Sequence, residues 1–170
     1  MKGEGKVKVY IKNQLISVGG GSDVLDENYQ PIFNVKGKVV TITKKKKIYD
    51  VQGNLVYTVR NKYWSLFSHK VLVYDASGDR VATLKKGKFS IGEKYKILDT
   101  EDKMSIEGRI FGRTSQIMKN GQPVATIIRD FTVINDAFTL EADEKDIPFF
   151  TALVIAFDNI KDKIQEKIDT

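Results

Sequence analysis

The chain has 170 residues, a length suited to one domain with a real core. Apolar residues make up 41% and charged residues 29%, which excludes a disordered chain. The absence of cysteine excludes disulfides, iron–sulfur clusters, thiolate zinc sites and cysteine nucleophiles, and a net charge of +6 leaves phosphates, on nucleic acid or lipid, as candidate partners.

The N-terminal stretch Met1–Tyr10 contains no apolar core of a secretion signal. Together with the missing cysteine, this leads us to expect a reducing, cytoplasmic setting. Gly19-Gly20-Gly21-Ser22 lacks the lysine of a phosphate loop and is read as a flexible connection.

From Asp23 to Asp136 turn residues punctuate the chain. In Tyr49-Asp50-Val51-Gln52-Gly53 the aspartate can bond the backbone ahead of it, and the glycine supplies a positive φ. The alternating runs on either side read as the arms of a β-hairpin. Shifting by 25 residues lays Tyr74-Asp75 on Tyr49-Asp50, Gly78 on Gly53, and Val81 on Val56. Weaker copies place Asp26 on Asp50 at a shift of 24, and Gly121, Val124 and Ile127 on Gly78, Val81 and Leu84. Propeller blades need about 40 residues or more, so this spacing predicts an antiparallel barrel wound from hairpins. Closure also removes exposed sheet edges.

Near the end the pattern changes. Asp146 and Pro148 suit the start of a helix, and Phe149–Phe157 is apolar all round. A helix apolar on every face must be buried on every face. The run Ile147–Phe157 is well short of the ~20 residues that cross a bilayer. A central helix is therefore expected over about 147–158, filling the barrel, with an amphipathic extension over 159–170 carrying Ile160, Ile164 and Ile168. The whole chain, 1–170, reads as one domain: all-β with one buried C-terminal helix.

Several segments in this order resemble the LURP-one-related family. They are Tyr49-Asp50-x-x-Gly53, Lys62-Tyr63-Trp64-Ser65-Leu66-Phe67, Val73-Tyr74-Asp75-x-x-Gly78, Ile106-Glu107-Gly108-Arg109-Ile110-Phe111-Gly112, and Ala152-Leu153-Val154-Ile155-Ala156-Phe157-Asp158. The resemblance runs from about Val24 to Asp158. It implies a tubby-like fold, a closed antiparallel barrel of about a dozen strands threaded by an apolar C-terminal helix. Relatives of that fold include phosphoinositide-binding tubby proteins and phospholipid scramblases, and no settled activity comes with the resemblance.

Candidate sites are few. His69 stands alone, so neither a catalytic triad nor a standard zinc site can be assembled. Asp99-Thr100-Glu101-Asp102 and Glu141-Ala142-Asp143-Glu144-Lys145-Asp146 are acidic, yet neither has calcium-loop spacing, and the first replaces a hairpin turn. No catalytic, cofactor-binding or metal-binding residues are assigned, and no cofactor is expected. Tyr63, Trp64 and Phe67 beside Lys62 and Lys70 resemble a base-stacking set. Trp64, however, shares the repeat position of Phe89, which argues for packing and against nucleic acid. The densest charge is Lys44, Lys45, Lys46 and Lys47, followed by Lys85, Lys86 and Lys88. Alternation in a strand divides a run of four between two faces. These lysines are the candidate patch for anionic headgroups, with a solvated hairpin rim as the plainer reading. The leading expectation is a non-catalytic cytoplasmic binding module, peripheral to the inner membrane face, that recognises anionic phospholipid. A protein-interaction scaffold without a ligand and an enzyme of unrecognised type are its rivals. Oligomeric state is left open.

Overall fold

The computed structural model describes residues 5–12, 21–37, 44–62, 70–87, 93–108, 113–131 and 136–168. Twelve strands run in chain order: β1 (Lys6–Lys12), β2 (Gly21–Leu25), β3 (Pro31–Gly37), β4 (Lys46–Asp50), β5 (Leu55–Asn61), β6 (Lys70–Asp75), β7 (Arg80–Lys86), β8 (Glu93–Leu98), β9 (Met104–Gly108), β10 (Thr114–Lys119), β11 (Gln122–Phe131) and β12 (Asp136–Asp143). Each pairs antiparallel with its neighbours in sequence, and β1 closes the barrel against β12. A 3-10 turn at Glu144–Asp146 leads into α1 (Ile147–Ile168). Fold class, closure and the C-terminal helix all follow the expectation from sequence.

The repeat explains itself in this geometry. One period of 24 or 25 residues is two strands, the tight turn between them and the connection to the next pair. Asp50 Oδ1 accepts from Asn54 N at 2.8 Å, and Asp75 Oδ1 accepts from Asp79 N at 2.9 Å. Gly53 and Gly78 take φ of 87° and 90°, where a Cβ is unfavourable. Asp26 builds the same turn, accepting from Asn28 N and Gln30 N at 2.8 Å, with Tyr29 (φ 60°) in the glycine's place.

Strand order fixes two different ends. The turns after β2, β4, β6, β8 and β10 all lie at one end, and the chain also leaves β12 there to start α1. The remaining connections lie at the other end, towards which α1 runs. Away from the mouths the inward residues are apolar: Val9 and Ile11, Ile48, Val71 and Val73, Ala82 and Leu84, Tyr95 and Ile97, all buried. They close on a helix whose residues from Phe150 to Ile160 are all buried. The Tyr95 ring meets Phe157 edge-on at 4.9 Å, and Phe138 meets the same ring at 6.5 Å. The run read as all-round apolar is thus a plug contacting the wall on several sides, chiefly β5, β6 and β12. No helix among the described residues is long and apolar enough to cross a membrane.

One expectation needs correction. Gly21 and Ser22 do not belong to a loose connection: they form the start of β2 and pair with Lys36 and Val35 of β3. Gly19 and Gly20 lie outside the described residues, as do Tyr63, Trp64, Phe67, His69, Lys88 and Phe89.

Candidate anion-binding rim

The tight-turn end is acidic. Asp26, Asp50 and Asp75 stand at its turns, and Asp99, Glu101 and Asp102 form the turn between β8 and β9. Asp50 is held below the usual carboxylate range, first by the side-chain amide of Asn54 and then by its backbone N–H.

A cavity of about 410 Å³ opens at this end beside the start of α1, floored by Phe149 and Phe150. Its two cations are already paired. Arg80 Nε lies 3.1 Å from Asp99 Oδ2, which also accepts from Thr83 Oγ1 at 2.6 Å. Lys119 Nζ lies 2.7 Å from Asp102 Oδ2. That hydrogen bond lowers the pKa of Asp102 and raises that of Lys119. A carboxylate held ionised by a committed ammonium is the reverse of a general acid, which requires a raised pKa. Among the described residues, no group of three or more His, Asp or Glu is placed to hold a metal ion.

The opposite end gathers lysine. Alternation decides where each side chain goes. In β4, Ile48 faces inward, so Lys46 points into the mouth of the barrel and Lys47 stands on the outer wall. In β7, Leu84 faces inward, so Lys85 is on the wall, while Lys86 lies exposed at the mouth. Lys45 is exposed just before β4. Lys46 and Lys47 divide between the two faces as alternation requires, whereas Lys44 and Lys45 precede the strand and are not placed by it.

Register then joins the two lysine groups. Lys36 of β3 faces Lys47 of β4. Lys70 of β6 faces Lys85 of β7, and Lys85 faces Lys96 of β8. Between them Arg60 of β5 bonds the Tyr74 hydroxyl at 2.8 Å and lies over its ring. With about 4.8 Å between neighbouring strands, β4 and β7 are ~14 Å apart around the wall. The rim is one basic belt from β3 to β8, not two separate runs. In the sequence Lys36 stands outside the basic runs, Lys94-Lys96 reads as a minor run, Arg60 as a candidate phosphate contact and Lys70 as a neighbour of the aromatic cluster. What unites them is a register between strands, which a linear reading does not show. The signal available was alternation: each adjoins an apolar residue that faces inward, Val35, Val59, Val71 and Ile97.

Among the described residues the belt has one negative partner on its outer wall. Lys94 Nζ lies 2.7 Å from Glu107 Oε1, and this hydrogen bond, with one from Ser105 Oγ, keeps the Glu107 carboxyl below its usual range. Inside the mouth, Lys46 Nζ lies 3.6 Å from Asp158 Oδ2 of α1, so Lys46 is engaged. Lys44 is half-buried, and its carbonyl accepts from Asn159 Nδ2 at 3.4 Å.

The LURP-one-related family profile covers residues 7–158. This chain belongs to the LURP-one-related family. The solved structures include a similar fold, the X-ray structure of a protein from Arabidopsis thaliana. It is 20% identical, covers 93% of each chain and has a TM-score of 0.66, a likeness of fold alone. Among curated proteins, none matches this sequence. The family accounts for the barrel and its helix, and it carries no named activity to the lysine rim.

Proposed function

We propose that this LURP-one-related protein is a non-catalytic binding module that docks its lysine rim on anionic phospholipid, at the inner face of a membrane. The observation that carries the reading is the pair of like-charge ladders, Lys36 with Lys47 and Lys70 with Lys85 and Lys96. Like charges directly opposite on neighbouring strands destabilise a sheet by a few tenths of a kcal/mol each, on the order of 0.2–1. None of these five lysines has an ion-pair partner among the described residues. An arrangement unfavourable to folding becomes favourable beside a surface of phosphates, where each lysine contributes about 1 kcal/mol. The cytoplasmic leaflet carries such charge, and the paired rim at the other end offers no comparable attraction.

Vesicle co-sedimentation tests this. Phosphatidylserine-containing vesicles should carry the protein down at low salt, and phosphatidylcholine vesicles should not. Raising ionic strength to the physiological range, where the Debye length is about 8 Å, should weaken binding strongly. Free inorganic phosphate should compete no better than chloride at equal ionic strength, since the belt spreads its charge over several strands. Absence of binding at low salt would leave the scaffold reading in its place.

A further inference from the structure

The lysine rim and the central helix are joined by a clasp, and this deepens the membrane reading on which it rests. We infer that Asp158 competes with an external anion for Lys46, so that docking at the rim is coupled to the seating of the helix where it leaves the barrel.

Two adjacent residues of α1 make the clasp. Asp158 is 3% exposed and Asn159 is 0% exposed. Both lie among apolar neighbours, Phe157 before them and Ile160 after, which are buried as deeply. A carboxylate in that position needs compensation, because a charge out of water is costly unless paired. The Lys46 ammonium, 3.6 Å away and on a side chain only 22% exposed, supplies part of it. Two residues earlier, the Lys44 carbonyl accepts from the Asn159 amide. Lys44 holds φ at 41°, the left-handed region that side chains other than glycine rarely adopt. The start of the lysine run is thus held to the helix by both backbone and side chain.

Among the described residues Asn159 Oδ1 has no hydrogen-bond partner, and neither has Oδ1 of Asn61, which is 2% exposed at the end of β5. Asn61 follows Val59 on the inward side, and Val59 pairs with Lys46. The helix therefore leaves through a mouth lined in part by polar side chains, Asn61, Lys46 and its own Asn159. Apolar packing fixes α1 from Phe150 to Phe157, and the polar clasp fixes it beyond.

When the rim meets a phosphate-bearing surface, Lys46 has a choice of anions. Turning toward the surface adds one lysine to the docking face and leaves Asp158 less compensated. Docking then loosens the last buried turn. As long as Lys46 stays with Asp158, it is withheld from the surface, unlike Lys45 and Lys47 beside it.

The test is vesicle affinity of the full chain on phosphatidylserine-containing vesicles. Lys45→Ser and Lys47→Ser should each weaken binding several-fold, and Lys46→Ser should weaken it less, because what Lys46 gains at the surface is offset by what it gives up at Asp158. Asp158→Asn releases Lys46 and should tighten binding about five-fold, the worth of one further lysine. The double variant Lys46→Ser with Asp158→Asn should lose that gain. Should Asp158→Asn not fold, the wild type still decides. Amide exchange over residues 156–160 should quicken on anionic vesicles and stay unchanged on phosphatidylcholine. Wild-type binding with equal losses at positions 45, 46 and 47, or with unaltered exchange over 156–160, would overturn the clasp and leave the membrane reading standing. No binding by the wild type would overturn both.

Discussion

Gly53 and Gly78 are the residues on which the hairpin repeat turns. Their φ of 87° and 90° explains why the Asp-x-x-Gly signature was readable at all. Gly78→Ala should cost about 1–2 kcal/mol in urea unfolding, the cost of a left-handed conformation for a side chain. Tyr29 occupies the same turn position and stacks its ring on Tyr10 at 5.0 Å, a contact that offsets the strain. No local pattern announces that exchange, so the first turn was legible only through Asp26. Charge behaves similarly. Asp50, Asp102 and Glu107 each have a pKa lowered by a named partner: the Asn54 amide, Lys119 and Lys94. A lowered carboxylate stabilises the fold fully above its unfolded pKa, about 4, and loses that contribution as pH falls through the lower folded value. Melting temperature should therefore hold from neutral pH to about pH 5 and fall below about pH 4. Asp102→Asn should flatten that acid limb, and an unchanged limb would show that the exposed pair contributes nothing.

At the scale of elements, α1 is the centre of the core. Leu153 and Val154 are wholly buried in it, and Phe157 touches aromatic rings from β8 and β12. Leu153→Ala should cost about 2–5 kcal/mol, and Leu153→Asp more, because it buries an unpaired charge. Removing all residues after Asp146 should abolish folding, read as loss of a cooperative melt and of native β circular dichroism. A truncated chain that still melts cooperatively would contradict the plug. This element was legible because Phe149–Phe157 has no polar face, which leaves few places for it. What lay beyond reach was its wall. Asp158 and Asn159 looked like the end of the buried stretch, yet both are buried. Their tie to the lysine run spans more than a hundred residues of chain, as between Asn159 and Lys44.

As a whole the molecule is electrically polar, and topology is the cause. Turns between paired strands favour aspartate, which bonds its own backbone, so four of the five tight turns bring acid to one end, the Asn120-Gly121 turn being the exception. The other end is free of that demand and collects lysine. A separated charge distribution orients a protein as it approaches a charged surface and raises its rate of encounter. The sequence showed the lysine runs but not that they share one rim, because the union depends on β5 and β6 lying between them. Because the chain has no cysteine, single cysteines can be introduced and labelled cleanly. The most direct test compares a polarity-sensitive fluorophore at Lys62→Cys, on the lysine end, with one at Gln52→Cys, on the acidic end. On phosphatidylserine-containing vesicles at low salt, the label at position 62 should shift to the blue and the label at 52 should not. Equal shifts at both ends, or a shift confined to position 52, would contradict docking by the lysine rim.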